Sequence, residues 1–215
     1  MRMPRKTMRP GDTAPDLSLT AVAGTGTGTG TNAGTGTGPD AGTGVDIPAR
    51  DRLVHLQFRR FAGCPVCNLH LRSVVRRHDE IEAAGIREVV VFHSPAEELR
   101  HHVDGLPFAV VADPARRLYT RFGVESMPRS LLNPRAWWPI ARAVVSGMGQ
   151  VLRGREHLPA SRPNGGRLGL PADFLIAGDG RILAVKYGEH VYDQWSVDEL
   201  LRLAAAEDRS ASSPR

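Results

Sequence analysis

Short apolar runs alternate with amphipathic stretches along most of the chain. The short runs are bounded by polar residues or glycine, as is typical of strands buried in a sheet. They predict strands at Leu53–Phe58, Glu88–His93, Phe108–Asp113, Ala172–Ala177 and Arg181–Tyr187. Stretches with apolar residues three or four positions apart predict helices that begin near Pro65, Ser94, Asp113 and Ser196.

Local signals mark the boundaries of these helices. Pro65 stands at a first helical position, and Gly85 follows the predicted end of the same helix. Ser94 and Ser196 are each followed three positions later by a glutamate, which is the pattern of a capping box. Asp113 is a further N-cap candidate. The caps therefore support helix starts that the apolar pattern indicates independently.

The order of the predicted elements indicates the fold class. It is β-α-β-α-β-α, then a further helical stretch at 126–145 and then β-β-α. Strands that alternate with helices predict a central sheet with helices on both faces. The closing hairpin, joined by "GDG", makes the sheet mixed. We therefore predict an α/β, thioredoxin-like three-layer fold, with residues 1–215 forming a single domain.

Two segments are expected to lie outside the packed core. Residues 24–44 read "GTGTGTGTNAGTGTGPDAGTG" and contain almost no apolar side chain, which predicts a disordered insert. A G-x-G-x-x-A match within this insert neither follows a strand nor opens a helix, so no dinucleotide site is predicted. The last helix is expected to end near Ala206, and 207–215 is expected to be a flexible tail.

Charge and hydropathy exclude several classes of protein. The net charge is +5, but the arginines are spread along the chain and lysine occurs only at Lys6 and Lys186. Nucleic-acid binding would more typically show a dense basic run with interleaved aromatics. No run approaches the ~20 apolar residues of a membrane span, and the basic N-terminus lacks the apolar stretch of a secretory signal. We therefore expect a cytoplasmic protein with reduced thiols, and no nucleic-acid or membrane partner.

Both cysteines stand in "RFAGCPVC", between the first predicted strand and its helix. Cys64 falls at the helix N-terminus beside Pro65, where free amide groups and the helix dipole favour a thiolate. Arg59 and Arg60 lie just upstream and are expected to add positive potential. Cys67, one turn further on, is expected to be less exposed and is placed to attack an oxidised Cys64 sulfur. We predict Cys64 as the nucleophile and Cys67 as the resolving thiol.

Two alternative roles for the cysteine pair stay open from the sequence alone. The first is a zinc site, which needs two more ligands, but the chain has no second C-x-x-C and no H-x3–5-H. His101 and His102 are adjacent, so on a helix they would face apart. The second is a pair of unrelated core cysteines, which would carry no chemistry. The strand, loop and helix context favours a redox pair, and we expect no metal and no bound cofactor.

The stretch "FRRFAGCPVCNLHLRSV" after a strand, with "PGDTAPDLSL" from Pro10, resembles the peroxiredoxin-like branch of the alkyl hydroperoxide reductase/thiol-specific antioxidant (AhpC/TSA) family. The resemblance runs to about Ala206, apart from the insert. It implies a thioredoxin fold, antioxidant oxidoreductase activity through a cysteine nucleophile, and a peroxide or disulfide substrate. It also implies an external reductant, either a thioredoxin-type protein or a low-molecular-weight thiol. "GLPADFLI" resembles the thioredoxin stretch with a cis-proline beside the cysteines, which implies that role for Pro171.

The chain departs from the P-x-x-x-[T/S]-x-x-C motif of typical peroxiredoxins. Phe61 and Gln57 stand three and seven positions before Cys64, so the hydroxyl that orients the peroxide is missing. We therefore expect Cys64 to react with hydrogen peroxide more slowly than a typical peroxiredoxin thiolate. Two alternatives stay open: a thiol-disulfide reductase acting on protein disulfides, and a non-catalytic thioredoxin-fold binding module. The sequence does not indicate an oligomeric state.

Two further features lie near or beyond this stretch. His70, one turn after Cys67, is expected to be a surface histidine. Trp137 and Trp138 are expected to place one ring in the core and the other partly in solvent. Neither feature is needed for the predicted chemistry.

Overall fold

The computed structural model describes residues 7–23, 43–103, 105–124 and 169–212. Its strands are β1 Leu17–Ala23, β2 Gly44–Ile47, β3 Leu53–Phe58, β4 Ile86–Phe92, β5 Ala109–Ala112, β6 Ala172–Ile176 and β7 Ile182–Tyr187. Its helices are α1 Pro65–Arg76, α2 His78–Ala83, α3 Ala96–Val103, α4 Arg117–Arg121 and α5 Val197–Ser212. The predicted helical stretch at 126–145, with Trp137 and Trp138, and nearly all of the predicted insert at 24–44 lie outside the described residues.

The described strands form one mixed sheet in the order β2-β1-β5-β4-β3-β6-β7. The three central strands β3, β4 and β5 run parallel, and the outer pairings are antiparallel. β3 has the predicted bounds, and β4 to β7 differ from prediction by no more than two residues at either end. β1 and β2, which were not predicted, flank the Gly/Thr-rich segment, and β2 has only four residues.

Side chains on β3 alternate between the two faces of the sheet. Val54, Leu56 and Phe58 join the core on the face that α4 covers. The opposite face packs against α1, α2, α3 and α5. Helices therefore cover both faces, as predicted. The intervening positions, His55 and Gln57, are polar yet almost fully buried.

Three helices differ from their predicted extents. The N-cap of α4 is Arg116 rather than the predicted Asp113, whose carboxylate instead accepts from the amides of Arg117 and Leu118 in the first turn. The helix predicted from Pro65 to about Ala84 is divided into α1 and α2, because Arg77 adopts non-helical backbone angles. α5 begins with the predicted capping box, in which the Glu199 amide donates to the Ser196 hydroxyl, but it continues to Ser212. Residues 207–212, predicted as part of a flexible tail, are thus helical, since no glycine or proline interrupts them. None of the described helices is long and apolar enough to cross a bilayer.

Candidate active site

The loop between β3 and α1 carries both cysteines to one end of the sheet. Cys64 is the N-cap residue of α1 and Pro65 opens the helix, as predicted. The Cys64 amide donates to the Phe61 carbonyl over 3.2 Å. The Ala62 amide donates to the hydroxyl of Ser94 over 2.9 Å. Ser94 therefore fixes this loop to the connection between β4 and α3.

Gly63 holds the tightest point of the loop. Its φ is +71°, a conformation that favours glycine. A Cβ at this position would lie 2.8 Å from Cε1 of His102 and 3.1 and 3.2 Å from the two ring nitrogens. His102 belongs to the last turn of α3. The imidazole of His102 thus occupies the space that a side chain at position 63 would need.

We expect Gly63→Ala to destabilise the protein more than Gly85→Ala. Both glycines have φ near +70°, where a Cβ costs about 1–2 kcal/mol. No atom lies within 4 Å of a Cβ at Gly85, so only Gly63→Ala also collides with a neighbour. Such overpacking adds about 1–3 kcal/mol. Urea denaturation of both variants measures the difference, and equal losses would contradict the contact with His102.

Both thiols are reduced and buried in the structure. Cys64 is 1% exposed and Cys67 is 3% exposed. The prediction that Cys67 is the less exposed cysteine is therefore wrong. Both cysteines are buried to a similar degree because the loop folds over them, and Arg60 and Phe61 in this loop are each only 5% exposed. A reactant has to enter this enclosed space to reach Cys64.

The two thiols have opposite acid–base properties. The hydrogen bond from the Cys67 thiol, with the charge of Arg60 and the amides of Val66 and Cys67, outweighs burial and lowers the pKa of Cys64 to about 6. Nη1 of Arg60 lies 3.8 Å from Sγ of Cys64. The same hydrogen bond, burial and the nearby Cys64 charge raise the pKa of Cys67. This asymmetry is the one that a nucleophile and a resolving thiol require, although the assignment of those roles stays a prediction.

Arg59 and Arg60 point to different places. Nη2 of Arg59 donates to Oδ1 of Asp173 over 2.6 Å and contacts Nε2 of His70 at 3.1 Å. The arginine is completely buried. The expectation that both arginines act on Cys64 therefore needs correction: Arg60 contacts the thiol, and Arg59 is committed to a buried ion pair.

A buried polar network lies beneath α1. Nδ1 of His55 contacts Glu88 at 2.9 Å, and Nε2 of His55 lies 3.3 Å from Asp173. Gln57 donates to Glu88 and accepts from Arg59. Burial alone would lower the pKa of His55, but the charges of Glu88 and Asp173 raise it to about 9. The network thus pairs two cations with two carboxylates inside the protein.

Alternating polar residues along β3 are a sequence signal for this network. His55, Gln57 and Arg59 stand at every second position of an apolar strand, so they share one face. Asp173 is likewise a single charge inside the apolar run of β6. Polar residues at alternate positions usually indicate a solvent-facing side, whereas here His70 of α1 and Trp195, which precedes α5, pack on that side. The pattern therefore did not lead to a prediction of buried charges.

His70 is buried rather than at the surface, which corrects the expectation for this residue. Burial and the adjacent positive charge of Arg59 lower the pKa of His70 well below its usual value. Because a guanidinium only donates, Nε2 of His70 accepts from Arg59, and the ring is neutral. His70 is therefore part of the buried network.

The segment that precedes β6 passes beside the cysteine loop. Ala172 pairs with Phe58 at the end of β3, and a Cβ on Gly169 would lie 3.6 Å from Cγ of Arg60. Pro171, which was expected to be cis, is trans. The cis peptide bond among the described residues is Ile47–Pro48. The Pro171 carbonyl instead accepts from the Gly188 amide over 2.9 Å, extending the pairing of β6 with β7.

The chemistry available at this site comes from two sulfurs and a guanidinium. Among the residues that the structure describes, no three His, Cys, Asp or Glu side chains form a group that could hold a metal ion. A thiolate beside Arg60 can attack an electrophilic oxygen or sulfur, and Cys67 can then form a disulfide with it. The geometry thus supports two-electron thiol redox chemistry.

A family model described as "AhpC/TSA antioxidant enzyme" matches residues 73–190. This range covers more than half of the chain. It begins at Ser73, after both cysteines, so the match does not depend on the C-x-x-C pair. Comparison with curated protein sequences found no significant match.

Solved structures of peroxiredoxins share the fold. Peroxidoxin BcpB from Mycobacterium tuberculosis has 16% identity and a TM-score of 0.59, with 93% of this chain and 97% of that chain covered. The reduced 2-Cys peroxiredoxin of Plasmodium vivax has 13% identity and a TM-score of 0.63, with 95% and 84% covered. AhpC of Mycobacterium tuberculosis has 16% identity and a TM-score of 0.59, with 97% of each chain covered. These likenesses confirm the predicted thioredoxin-like fold class.

Proposed function

Since the chain belongs to the family of AhpC/TSA antioxidant enzymes, we propose that it reduces peroxides with Cys64 as nucleophile and Cys67 as resolving thiol. Family membership makes it an enzyme of peroxiredoxin type, a thiol oxidoreductase in general terms. One observation carries the finer assignment. Cys64 is at the N-terminus of α1, and its Sγ lies 3.8 Å from the Arg60 guanidinium and accepts a hydrogen bond from the Cys67 thiol.

The proposed reaction has two chemical steps. The Cys64 thiolate attacks one oxygen of the peroxide, the O–O bond breaks, and the leaving oxygen takes a proton from solvent to become an alcohol or water. Cys64 is then a sulfenic acid, oxidised by two electrons. The Cys67 sulfur attacks the Cys64 sulfur, and the sulfenic oxygen leaves as water with the Cys67 proton. The product is a Cys64–Cys67 disulfide.

Burial of Cys64 favours a peroxide over a protein disulfide as the substrate. Only 1% of Cys64 is exposed, and attack on a disulfide requires direct approach of the two sulfurs. A small peroxide can enter such a space more easily than a disulfide attached to a folded protein. The disulfide-reductase alternative is therefore the weaker proposal, and a non-catalytic module would have no use for an ionised Cys64.

The cycle needs an external thiol reductant but no bound cofactor. The donor reopens the disulfide by thiol–disulfide exchange and returns both cysteines to the reduced state. Reduced thiols persist in compartments that glutathione or thioredoxin systems keep reducing. We therefore propose a cytoplasmic setting for the enzyme.

Oxidation of Cys67→Ser tests the proposed roles. Wild-type protein treated with peroxide is expected to stop at the Cys64–Cys67 disulfide, because the resolving thiol traps the sulfenic acid. Cys67→Ser leaves that sulfenic acid unresolved, so excess peroxide should carry Cys64 to the sulfinic acid. Mass spectrometry of the Cys64 peptide distinguishes the loss of two hydrogens from the gain of two oxygens.

Cys64→Ser is the matched control for this experiment. Burial of the remaining Cys67 thiol still disfavours its ionisation when Cys64 is absent, so Cys67 should stay reduced under the same treatment. The roles are reversed if Cys67 in that variant oxidises faster than Cys64 does in Cys67→Ser. The peroxidase function itself is rejected if wild-type Cys64 stays reduced in peroxide while protein disulfides are turned over.

A further inference from the structure

We propose that Tyr119 is a positioning residue that aims the Arg60 guanidinium at Cys64. It does so by holding a one-residue shift in the pairing of β3 with β4, immediately before the cysteine loop. The inference rests on the proposed function in one respect, namely that Arg60 acts on the Cys64 thiol. Tyr119 itself carries out no step of the proposed cycle.

The pairing of β3 with β4 is regular up to Phe58, which lies opposite Val91. In a parallel pair continued at this register, Arg59 would donate to the Val91 carbonyl and accept from the His93 amide. The Arg59 amide does donate to the Val91 carbonyl, over 2.8 Å. The His93 amide, however, donates over 3.2 Å to the carbonyl of Arg60 instead. Two residues, Arg59 and Arg60, therefore lie opposite a single residue of β4, which is the arrangement of a β-bulge.

The bulge changes the direction of the Arg60 side chain. Phe58 joins the core on the face that α4 covers, and regular alternation would place Arg60 on the same face. Cys64 belongs to the core of the opposite face. Nη1 of Arg60 nevertheless lies 3.8 Å from Sγ of Cys64. Because a bulge redirects side chains, the shift accounts for the contact between the guanidinium and the thiol.

The Tyr119 hydroxyl takes the place of the hydrogen bond that the bulge removes. It donates to the Arg59 carbonyl, which would accept from the His93 amide in a regular ladder. It also lies 3.0 Å from the Val91 carbonyl, but that oxygen already accepts from the Arg59 amide. A buried carbonyl without a donor is costly, so the hydroxyl favours the shifted pairing over the regular one.

Contacts on both sides of Tyr119 hold it in place. Its amide donates over 3.3 Å to the Asp113 carboxylate in the first turn of α4. The Asp113 amide in turn donates over 2.7 Å to the carbonyl of Phe92 at the end of β4. The Tyr119 ring packs edge-on against Phe58, with the ring centres 4.9 Å apart. The hydroxyl therefore reaches the Arg59 carbonyl from a fixed support.

The Tyr119 hydroxyl stays protonated over the pH range that matters for the test. Burial, the charge of Asp113 and the nearby Cys67 raise the pKa of Tyr119 well above its usual value. The positive charges of Arg116 and Arg59 act in the opposite direction but do not outweigh burial. Tyr119→Phe therefore removes a hydrogen-bond donor and no charge.

The test measures the ionisation of Cys64 in the absence of peroxide. Thiolate absorbance is followed from pH 4 to 9 in wild type, Tyr119→Phe, Arg60→Met and the double variant that carries both substitutions, with Cys64→Ser as the blank. Phenylalanine keeps the packing of the Tyr119 ring, and thermal melting checks that each protein is folded. Because the readout does not involve the peroxidase reaction, failure of the proposed function and failure of this inference are separate outcomes.

Tyr119→Phe is expected to raise the midpoint of the Cys64 titration by about 1 pH unit, the smaller end of the effect of an adjacent opposite charge. The reason is that the Arg60 guanidinium loses its fixed direction towards the thiol. In the Arg60→Met background the same substitution should cause no further shift, because Tyr119 acts through Arg60.

Tyr187→Phe is the matched control. The Tyr187 hydroxyl also donates to a backbone carbonyl, that of Phe122, over 2.7 Å. Phe122 lies outside the cysteine loop, so loss of this hydrogen bond can lower the melting temperature but should leave the Cys64 midpoint unchanged. An equal shift of the midpoint in Tyr187→Phe and Tyr119→Phe would show a general loosening of the fold and overturn the inference.

Three further outcomes would overturn the inference. An unchanged midpoint in folded Tyr119→Phe would show that the hydroxyl does not position Arg60. An unchanged midpoint in Arg60→Met would show that Arg60 does not act on the thiol. A further shift on adding Tyr119→Phe to Arg60→Met would show that Tyr119 affects Cys64 by another route. If the expected shifts occur in a protein that does not consume peroxide, the proposed function is rejected and this inference stands.

Discussion

Asp173→Asn is expected to lower the free energy of unfolding by about 3–5 kcal/mol, because it removes one partner of a buried ion pair. Oδ1 of Asp173 lies 2.6 Å from Nη2 of Arg59 and 3.3 Å from Nε2 of His55. Its other oxygen accepts from the Trp195 amide over 3.2 Å. Asparagine preserves the shape but leaves two buried cations with one carboxylate, Glu88. Urea denaturation at pH 7 measures the loss.

Asp198→Asn is the control for this variant. Asp198 also lies 2.6 Å from an arginine, Arg77, but 73% of the Asp198 side chain is exposed. Water screens such a pair, so its loss should change the stability little. Similar losses for Asp173→Asn and Asp198→Asn would show that burial of the network is not the source of its effect.

The same network predicts how stability depends on pH. The pKa of His55 is raised from 6.5 to about 9 in the folded protein. The contribution of protonated His55 is therefore complete below pH 6.5 and is lost as the pH rises through about 9. In Asp173→Asn one of the charges that raise this pKa is missing, so the pKa of His55 should be lower. The stabilising contribution of protonated His55 should therefore be lost at lower pH than in wild type. Denaturation between pH 6 and 10 on both proteins tests the shift.

The central part of the fold follows from local sequence signals. β3 has its predicted bounds, and the cap at Ser196 is present as expected. Cys64 lies at the helix N-terminus because Pro65 can open a helix but cannot continue one. These features depend on residues that are close in sequence. Local propensity and tertiary packing agree at such positions, so the sequence alone is sufficient.

Features that depend on distant partners were not predictable in the same way. Arg59 and Arg60 are chemically identical in sequence, and only the position of Asp173 on β6 separates their roles. His70 is buried because its helix packs over that same carboxylate and Arg59. Pro171 is trans, and its carbonyl accepts from the amide of Gly188, which follows β7. Each of these outcomes is set by contacts between segments more than ten residues apart, which a local pattern does not encode.

Arg60→Met is expected to slow peroxide reduction at pH 7, by up to about tenfold if only the fraction of Cys64 thiolate changes. The hydrogen bond from Cys67 is the larger influence on Cys64, but Arg60 supplies the adjacent positive charge. Without that charge the pKa of Cys64 should rise towards that of an ordinary thiol. With a pKa of about 6, roughly nine-tenths of Cys64 is thiolate at pH 7, compared with a few per cent, roughly, for an ordinary cysteine. Stopped-flow peroxide consumption with excess thiol reductant measures the change.

The pH profile separates two ways in which Arg60 can act. If Arg60 acts only by favouring the thiolate, the rate of Arg60→Met should reach that of wild type at pH 9, because Cys64 is then largely ionised in both proteins. If the guanidinium also holds the peroxide oxygens, in place of the hydroxyl missing at Phe61, a deficit should persist at every pH. Arg76→Met, on the exposed last turn of α1, controls for the loss of one positive charge, and Cys64→Ser sets the rate without a nucleophile. Unchanged rates in Arg60→Met would show that Arg60 has no role in the reaction with peroxide.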